Sequence, residues 1–320
     1  MPKVTTEAHR ICPELIEAVK LIDDLSYTRQ YAEVFEDLVD WMVWQHQFPP
    51  NEANPIAKYS DKEQEQFLSI FKVVQEEVKK RSNLWSEQKS DQNWYDPMGR
   101  LYECITSKNK SSRLGQYFTP KHVVNMMVQM QMGDSEKDFI TMLDPACGSG
   151  RMGLAAATQS MIKGTAIWVT MNDIDPICSK MTAANMCLNG IVGEALCCDG
   201  LDIKGDSYRF GYRVEPMLAQ VPNEMQQIYR MAMLSKTGQD VQKQYVIKPV
   251  AYEQTYLKQV NDRYLQELGE RQKIGTSRLI VGMEKKDYLG QMELTNFYEE
   301  LLGITLPWQV EGVEIHQHTQ

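Results

Sequence analysis

Apolar residues along the first hundred positions recur at three- and four-residue intervals, the spacing of a helix that buries one face. From Tyr27 the positions Tyr31, Val34, Phe35, Leu38, Val39 and Met42 form such a stripe, which Pro49-Pro50 brings to an end. Ser60 and Glu63 have the spacing of a capping box, and Phe67, Ile70, Phe71, Val74 and Val78 continue one face beyond them. The aromatic members of these stripes read as core. Residues 1–112 are therefore expected to form a helical domain.

The pattern changes in the middle of the chain. Thr119 followed by Pro120 reads as a cap with proline at the first helical position, opening a helix to about Met132. Phe139–Leu143, Thr165–Met171 and Ala195–Cys198 are apolar runs of strand length. Helical spacing fills the intervals, around Met152–Met161 and from about Pro176 to Leu188. Strand alternating with helix predicts an α/β fold with a parallel, doubly wound sheet, assigned to residues 113–215. Past residue 215 the pattern blurs. Residues 222–236 and 251–272 read as helical, and Tyr245–Ile247, Leu279–Val281 and Val313–Ile315 are weak strand candidates. Residues 216–320 are expected to form a partly helical C-terminal extension. There is no internal repeat and no low-complexity tail.

Composition narrows the class. Apolar residues make up 42% of the 320 and charged residues 24%, ordinary for a globular protein. No apolar run approaches the roughly 18 residues of a membrane span, and the first residues lack the apolar core of a signal peptide, so a cytoplasmic protein is expected, with no membrane partner. The seven cysteines are scattered and include no Cys-x-x-Cys pair. That argues against a disulfide framework and against a metal site, and Cys197-Cys198 reads as the end of a strand. The net charge of −9 argues against a protein that grips DNA alone, because phosphate contacts need a basic face. A local basic stretch, Lys108, Lys110, Arg113 and Lys121 against Glu103, is either a solvated flank or a phosphate contact. A nucleic-acid substrate would be held mainly by a partner subunit.

Candidate chemistry lies in Leu143-Asp144-Pro145-Ala146-Cys147-Gly148-Ser149-Gly150-Arg151-Met152-Gly153. A strand that ends in Asp144, small residues, and then a helix lets backbone N–H groups approach a ligand closely. Asp173 ends the next strand, 23 residues past Gly150, where such folds place a carboxylate for ribose hydroxyls. Asp199 ends the third. Three carboxylates at one sheet edge predict an adenosine-containing cofactor.

Gly115-Gln116-Tyr117-Phe118-Thr119-Pro120, followed by Asp144-Pro145-Ala146-Cys147-Gly148-Ser149-Gly150, resembles the N6-adenine DNA methyltransferases, and among them the modification subunits of type I restriction systems. Asp96-Pro97-Met98-Gly99-Arg100-Leu101-Tyr102-Glu103 is similar to the segment those subunits carry just before, and Asn172-Asp173-Ile174-Asp175-Pro176 to their next cofactor motif. The resemblance covers about residues 27–205. It implies a Rossmann-like class I methyltransferase fold and S-adenosylmethionine as cofactor, rather than NAD. By the same resemblance Tyr117, Phe118 and Thr119 line the cofactor pocket. Asp144 and the backbone of Ala146, Cys147, Gly148 and Gly150 hold its methionine end. Asp173 takes the ribose hydroxyls, Ile174 lies against the adenine ring, and Asp199 faces the adenine amino group. DNA, reached through a specificity or methylase partner, is the implied substrate.

The chain departs from that family in one respect. Methylating an exocyclic amine requires a flipped base held by acceptors and a stacking ring. The family uses an Asn-Pro-Pro-Tyr or Asn-Pro-Pro-Phe tetrapeptide, which these 320 residues do not contain. The corresponding region reads Tyr208-Arg209-Phe210-Gly211-Tyr212-Arg213-Val214-Glu215-Pro216-Met217, in which Tyr212 and Glu215 are the substitute catalytic candidates. The alternative there is a shortened strand and a redirected chain. Three functions remain open: an adenine methyltransferase with a partner, an inactive relative that regulates or completes such a complex, and a methyltransferase on another acceptor.

Overall fold

The computed structural model describes residues 4–47, 53–87, 90, 93–106, 118–132, 139–202, 207–217 and 245–250. Pro49-Pro50, Lys108, Lys110, Arg113, Tyr117, residues 222–236 and 251–272, Leu279–Val281 and Val313–Ile315 lie outside the described residues.

Among the described residues, five α-helices and a short 3-10 turn (Pro13–Leu15) open the chain: α1 (Val4–Ile11), α2 (Ile16–Leu25), α3 (Tyr31–Gln45), α4 (Asp61–Glu87) and α5 (Pro97–Thr106). The stripe from Val34 to Met42 is buried along α3, whereas Tyr27 stands before the helix and is exposed. The capping box forms as its spacing predicts. The Ser60 N–H donates to Glu63 Oε2 at 2.8 Å and the Glu63 N–H to Ser60 Oγ at 3.4 Å. Arg29 adds an ion pair to Glu63 at 2.5 Å, tying the segment before α3 to the start of α4. Phe67, Ile70 and Val74 then face inward, with Trp41 of α3 edge-on to Phe67 and Phe71. Burying side chains of this size stabilises by about 1.5–3 kcal/mol each.

Helix α6 (Lys121–Met132) starts one residue later than expected, with the Pro120 carbonyl accepting from Val124. Strands and helices then alternate through β1 (Phe139–Asp144), α7 (Arg151–Lys163), β2 (Ala166–Asp173), α8 (Pro176–Asn189) and β3 (Gly193–Cys197). The two remaining described strands are β4 (Phe210–Pro216) and β5 (Tyr245–Val250). They lie in one sheet in the order β1-β2-β3-β4-β5. β1, β2 and β3 are parallel, as the crossover helices require.

The described strands form an α/β sheet that is parallel over β1–β3 and mixed beyond them, so the parallel, doubly wound expectation holds only in part. Their order runs in one direction without reversal, and β4 and β5 are antiparallel to their neighbours. The reason is connection length. Twelve residues separate Cys197 from Phe210 and contain no described helix to carry a crossover, so the chain turns and pairs back along β3.

One apolar core joins the helices to the sheet. α8 lies between them: Asn185 and Met186 are buried, Lys180 pairs with Asp40 of α3 at 2.5 Å, and Cys187 donates to the Tyr245 carbonyl. The end of α3 also touches the sheet directly, since the Ile247 N–H donates to the His46 carbonyl at 2.7 Å. On the opposite face Trp168 and Val192 form a smaller cluster with Phe139. Among the described residues no helix is long and apolar enough to cross a membrane. All seven cysteines are free, six of them buried.

Candidate functional site

The carboxyl ends of β1 and β2 carry Asp144 and Asp173, in a register that pairs Asp144 with Met171 and Asp173 with Cys197. Between β1 and α7 the chain makes two tight turns on Gly148 (φ 58°) and Gly150 (φ 88°), a region that favours glycine. A hollow of about 230 Å³ opens there. Its walls include Phe118, Thr119, Asp144, Ala146, Cys147, Gly148 and Asp173, so seven of the sequence-predicted binding residues converge on one space. Ser149, Arg151 and Met152 complete the lining.

Four N–H groups of the loop are engaged within the loop and the sheet. The Ala146 N–H goes to Asp144 Oδ1 at 3.1 Å, the Cys147 N–H to the Asn172 carbonyl at 2.8 Å, the Gly148 N–H to Asp173 Oδ2 at 2.8 Å, and the Gly150 N–H to the Cys147 carbonyl at 2.8 Å. Those groups hold the loop in shape, and what the hollow presents is the two carboxylates. Burial pushes both Asp144 and Asp173 above the usual carboxylate range. For Asp144 the nearby Asp173 adds to the rise; for Asp173 the N–H groups of Asp175 and Gly148 oppose it. Cys147 is a buried neutral thiol, its pKa raised by desolvation, and packs beside Thr182.

Not every predicted residue arrives at the hollow. Ile174 is 58% exposed beside it, and Asp199 turns its carboxylate to the Leu201 N–H at 2.9 Å. Neither forms part of its lining, nor does Gly150, which caps α7. Tyr212 and Glu215, the substitute acceptor candidates, are not part of its lining either. Phe210 pairs with Cys197 at the carboxyl end of β3, which places Tyr212 opposite Ala195 and Glu215 beyond the amino end of that strand, away from the hollow. Tyr212 packs against Phe210 and has its pKa pushed up to about 12 by burial. Glu215 pairs with Lys248 across the strands at 3.0 Å. Lys121, of the local basic stretch, lies over the Trp94 ring and donates to its carbonyl at 2.7 Å.

A buried polar cluster behind the loop carries residues to which sequence reasoning gave no role. Asp96, 2% exposed, accepts from the Gly99 N–H at 2.7 Å, Ser149 Oγ at 2.6 Å, Arg151 Nε at 2.5 Å and Asn185 Nδ2 at 2.7 Å. A Cβ at position 99 would come within 2.2 Å of that carboxylate, so glycine is needed for the approach. Burial alone would lower the Arg151 pKa, but the charges of Asp96 and Glu103 outweigh it and hold it above its ordinary value. The available signal was the family-like segment Asp96–Glu103, whose acids bracket the apolar Met98, Leu101 and Tyr102. Among the described residues no three His, Cys, Asp or Glu side chains gather as metal ligands.

Comparison with known proteins places this site in the matched segment. The N-6 DNA methylase family model matches residues 93–208. Among curated proteins the chain is similar to the type I restriction enzyme HindI methylase subunit of Haemophilus influenzae, with 34% identity over 106 residues. That alignment covers 30% of this chain and 22% of the relative. No solved structure matches.

Proposed function

Because residues 93–208 are N6-adenine methyltransferase-like, we propose that the hollow binds S-adenosylmethionine and that the chain serves DNA adenine methylation together with a partner subunit. The observation that carries this reading is the donor balance. A phosphate needs free N–H groups and positive charge, whereas the Ala146, Cys147, Gly148 and Gly150 N–H groups are used internally and, among the described residues, the one lining cation, Arg151, is matched by Asp96 and Glu103. Two desolvated carboxylates suit a ligand with hydroxyl donors and positive charge. S-Adenosylmethionine has both, in its ribose, ammonium and sulfonium groups. Asp173 would take the ribose hydroxyls, Asp144 the amino-acid end, Phe118 a face of the ligand, and exposed Ile174 the adenine. This part of the chain reads as a Rossmann-like methyltransferase unit working in the cytoplasm.

Held there, S-adenosylmethionine would supply an electrophilic methyl group, and the residues of the hollow would orient it. Holding and activating the adenine amine is a separate task that needs acceptors at the base. The Asn-Pro-Pro-aromatic tetrapeptide is not in these 320 residues, and the antiparallel register carries Tyr212 and Glu215 away from the hollow. We therefore assign base capture to groups outside the hollow and β4. An inactive relative that completes or regulates such a complex is the second reading, favoured by the same two observations.

Calorimetric titration of S-adenosylmethionine tests the first step. Saturable binding is expected, weakened at least about tenfold in Asp173→Ala, since hydrogen bonds to a charged group contribute about 1.5–3 kcal/mol each. No binding by the folded wild-type protein refutes the reading. Transfer of labelled methyl groups to DNA, with and without a type I specificity subunit, then separates the active from the inactive reading.

A further inference from the structure

The wall formed by Phe118 and Thr119 belongs to no helix or strand; it lies just before α6. A ligand in the hollow meets this segment, so something else must hold it. Arg151, at the start of α7, does so from behind. Its Nη1 donates to the Thr119 carbonyl at 3.1 Å, and its guanidinium carbon stands 5.2 Å from the centre of the Phe118 ring. Its other two nitrogens are fixed by acids associated with α5, Nε by Asp96 at 2.5 Å and Nη2 by Glu103 at 3.0 Å. The side chain is 10% exposed. Tyr102, the neighbour of Glu103 on α5, packs its ring 5.5 Å from that of Phe118, tilted by 44°. On its far side Phe118 lies so close to Gly148 that a Cβ there would come within 2.8 Å of the ring.

We propose that Arg151 is the positioning residue of the hollow: braced by Asp96 and Glu103, it holds the Phe118–Thr119 wall against the Gly148 turn and thereby sets the affinity for the ligand. This rests on the reading of the hollow as an S-adenosylmethionine site. The guanidinium is suited to the task by geometry. Its planar fork makes three separate bonds in fixed directions while its face meets an aromatic ring, which a lysine ammonium cannot reproduce. Charge alone is therefore insufficient, and Arg151→Lys should displace the wall although it keeps the positive charge.

The experiment uses the full chain labelled with 4-fluorophenylalanine. Its eight phenylalanines give eight fluorine resonances, and that of Phe118 is the one lost in Phe118→Leu. In Arg151→Lys without ligand, the Phe118 resonance is expected to shift or broaden while those of distant rings stay in place. Titration calorimetry with S-adenosylmethionine should show about tenfold weaker binding, the scale of one hydrogen bond to a charged group. Glu103→Gln, at a side chain 26% exposed, should move both readouts less and in the same direction, and carries the test alone if Arg151→Lys does not fold. An unmoved Phe118 resonance in the folded variants overturns the proposal, as does a moved resonance with wild-type affinity. If the wild-type protein binds no S-adenosylmethionine, the ligand reading falls, and the Phe118 resonance alone decides whether the brace exists.

Discussion

Replacing Asp96 by asparagine puts the buried cluster to a quantitative test. The carboxylate is 2% exposed and accepts four hydrogen bonds, two on each oxygen, from groups on three separate parts of the chain. Asparagine keeps one acceptor oxygen, which can serve Gly99 and Asn185 as before. Its amide NH2 then faces Ser149 Oγ, whose hydroxyl can rotate to accept, and Arg151 Nε–H, which cannot. The net change is one lost ion pair with a donor set against a donor. Removing one partner of a buried pair costs about 3–5 kcal/mol. Because Arg151 retains Glu103 at 3.0 Å, the lower end applies, about 3 kcal/mol. For a cooperative unit of 150–250 residues that lowers Tm by about 6–12 °C. Urea unfolding at neutral pH, followed by far-UV circular dichroism, measures the loss. Lys20→Ala, which removes an exposed pair with Glu17, is the control, with an expected change below about 0.5 kcal/mol. A loss under about 1 kcal/mol for Asp96→Asn would refute the argument, because it would mean that solvent satisfies the cluster.

Other consequences are testable with the same preparations. Gly148→Ala forces a side chain onto a backbone at φ 58° and into the Phe118 ring, so it should abolish S-adenosylmethionine binding in calorimetry while the far-UV spectrum persists. Glu63 has its carboxyl lowered to about 2, first by the Ser60 hydroxyl and N–H and then by Arg29. Its contribution is present above the ordinary value of 4.5 and is lost as pH falls toward about 2. The stability gap between wild type and Glu63→Gln should therefore close over that window, and a gap independent of pH would exclude the mechanism. Tyr212→Phe and Glu215→Gln should leave the affinity for S-adenosylmethionine within about twofold of wild type, as expected for positions away from the hollow. A larger loss in either would return β4 to the site.

Much of the fold and part of the site were legible because they depend on neighbours in sequence. Helix α4 follows from a stripe of period near four and a cap three residues long in its logic. β1, β2 and β3 follow from short apolar runs between helical ones, and the parallel pairing follows from the crossover helices. The loop after β1 is a local object as well: its glycines, its small residues and the acids at the strand ends are what bring seven predicted residues to one hollow.

What only the tertiary structure decided depends on contacts that no period encodes. Asp96 reaches Ser149 across 53 positions, Arg151 across 55 and Asn185 across 89, and none of these intervals is visible as a pattern. The direction of the loop's N–H groups belongs here too, since their partners, the Asn172 carbonyl and the Asp173 carboxylate, lie on the next strand. So does the fate of Tyr212 and Glu215, because pairing β4 antiparallel rather than parallel to β3 sends its far end away from the ligand edge. Local sequence determined which segments are helix, strand and turn. Long-range packing determined which charges meet, and those meetings decide whether the hollow suits a phosphate or a cation.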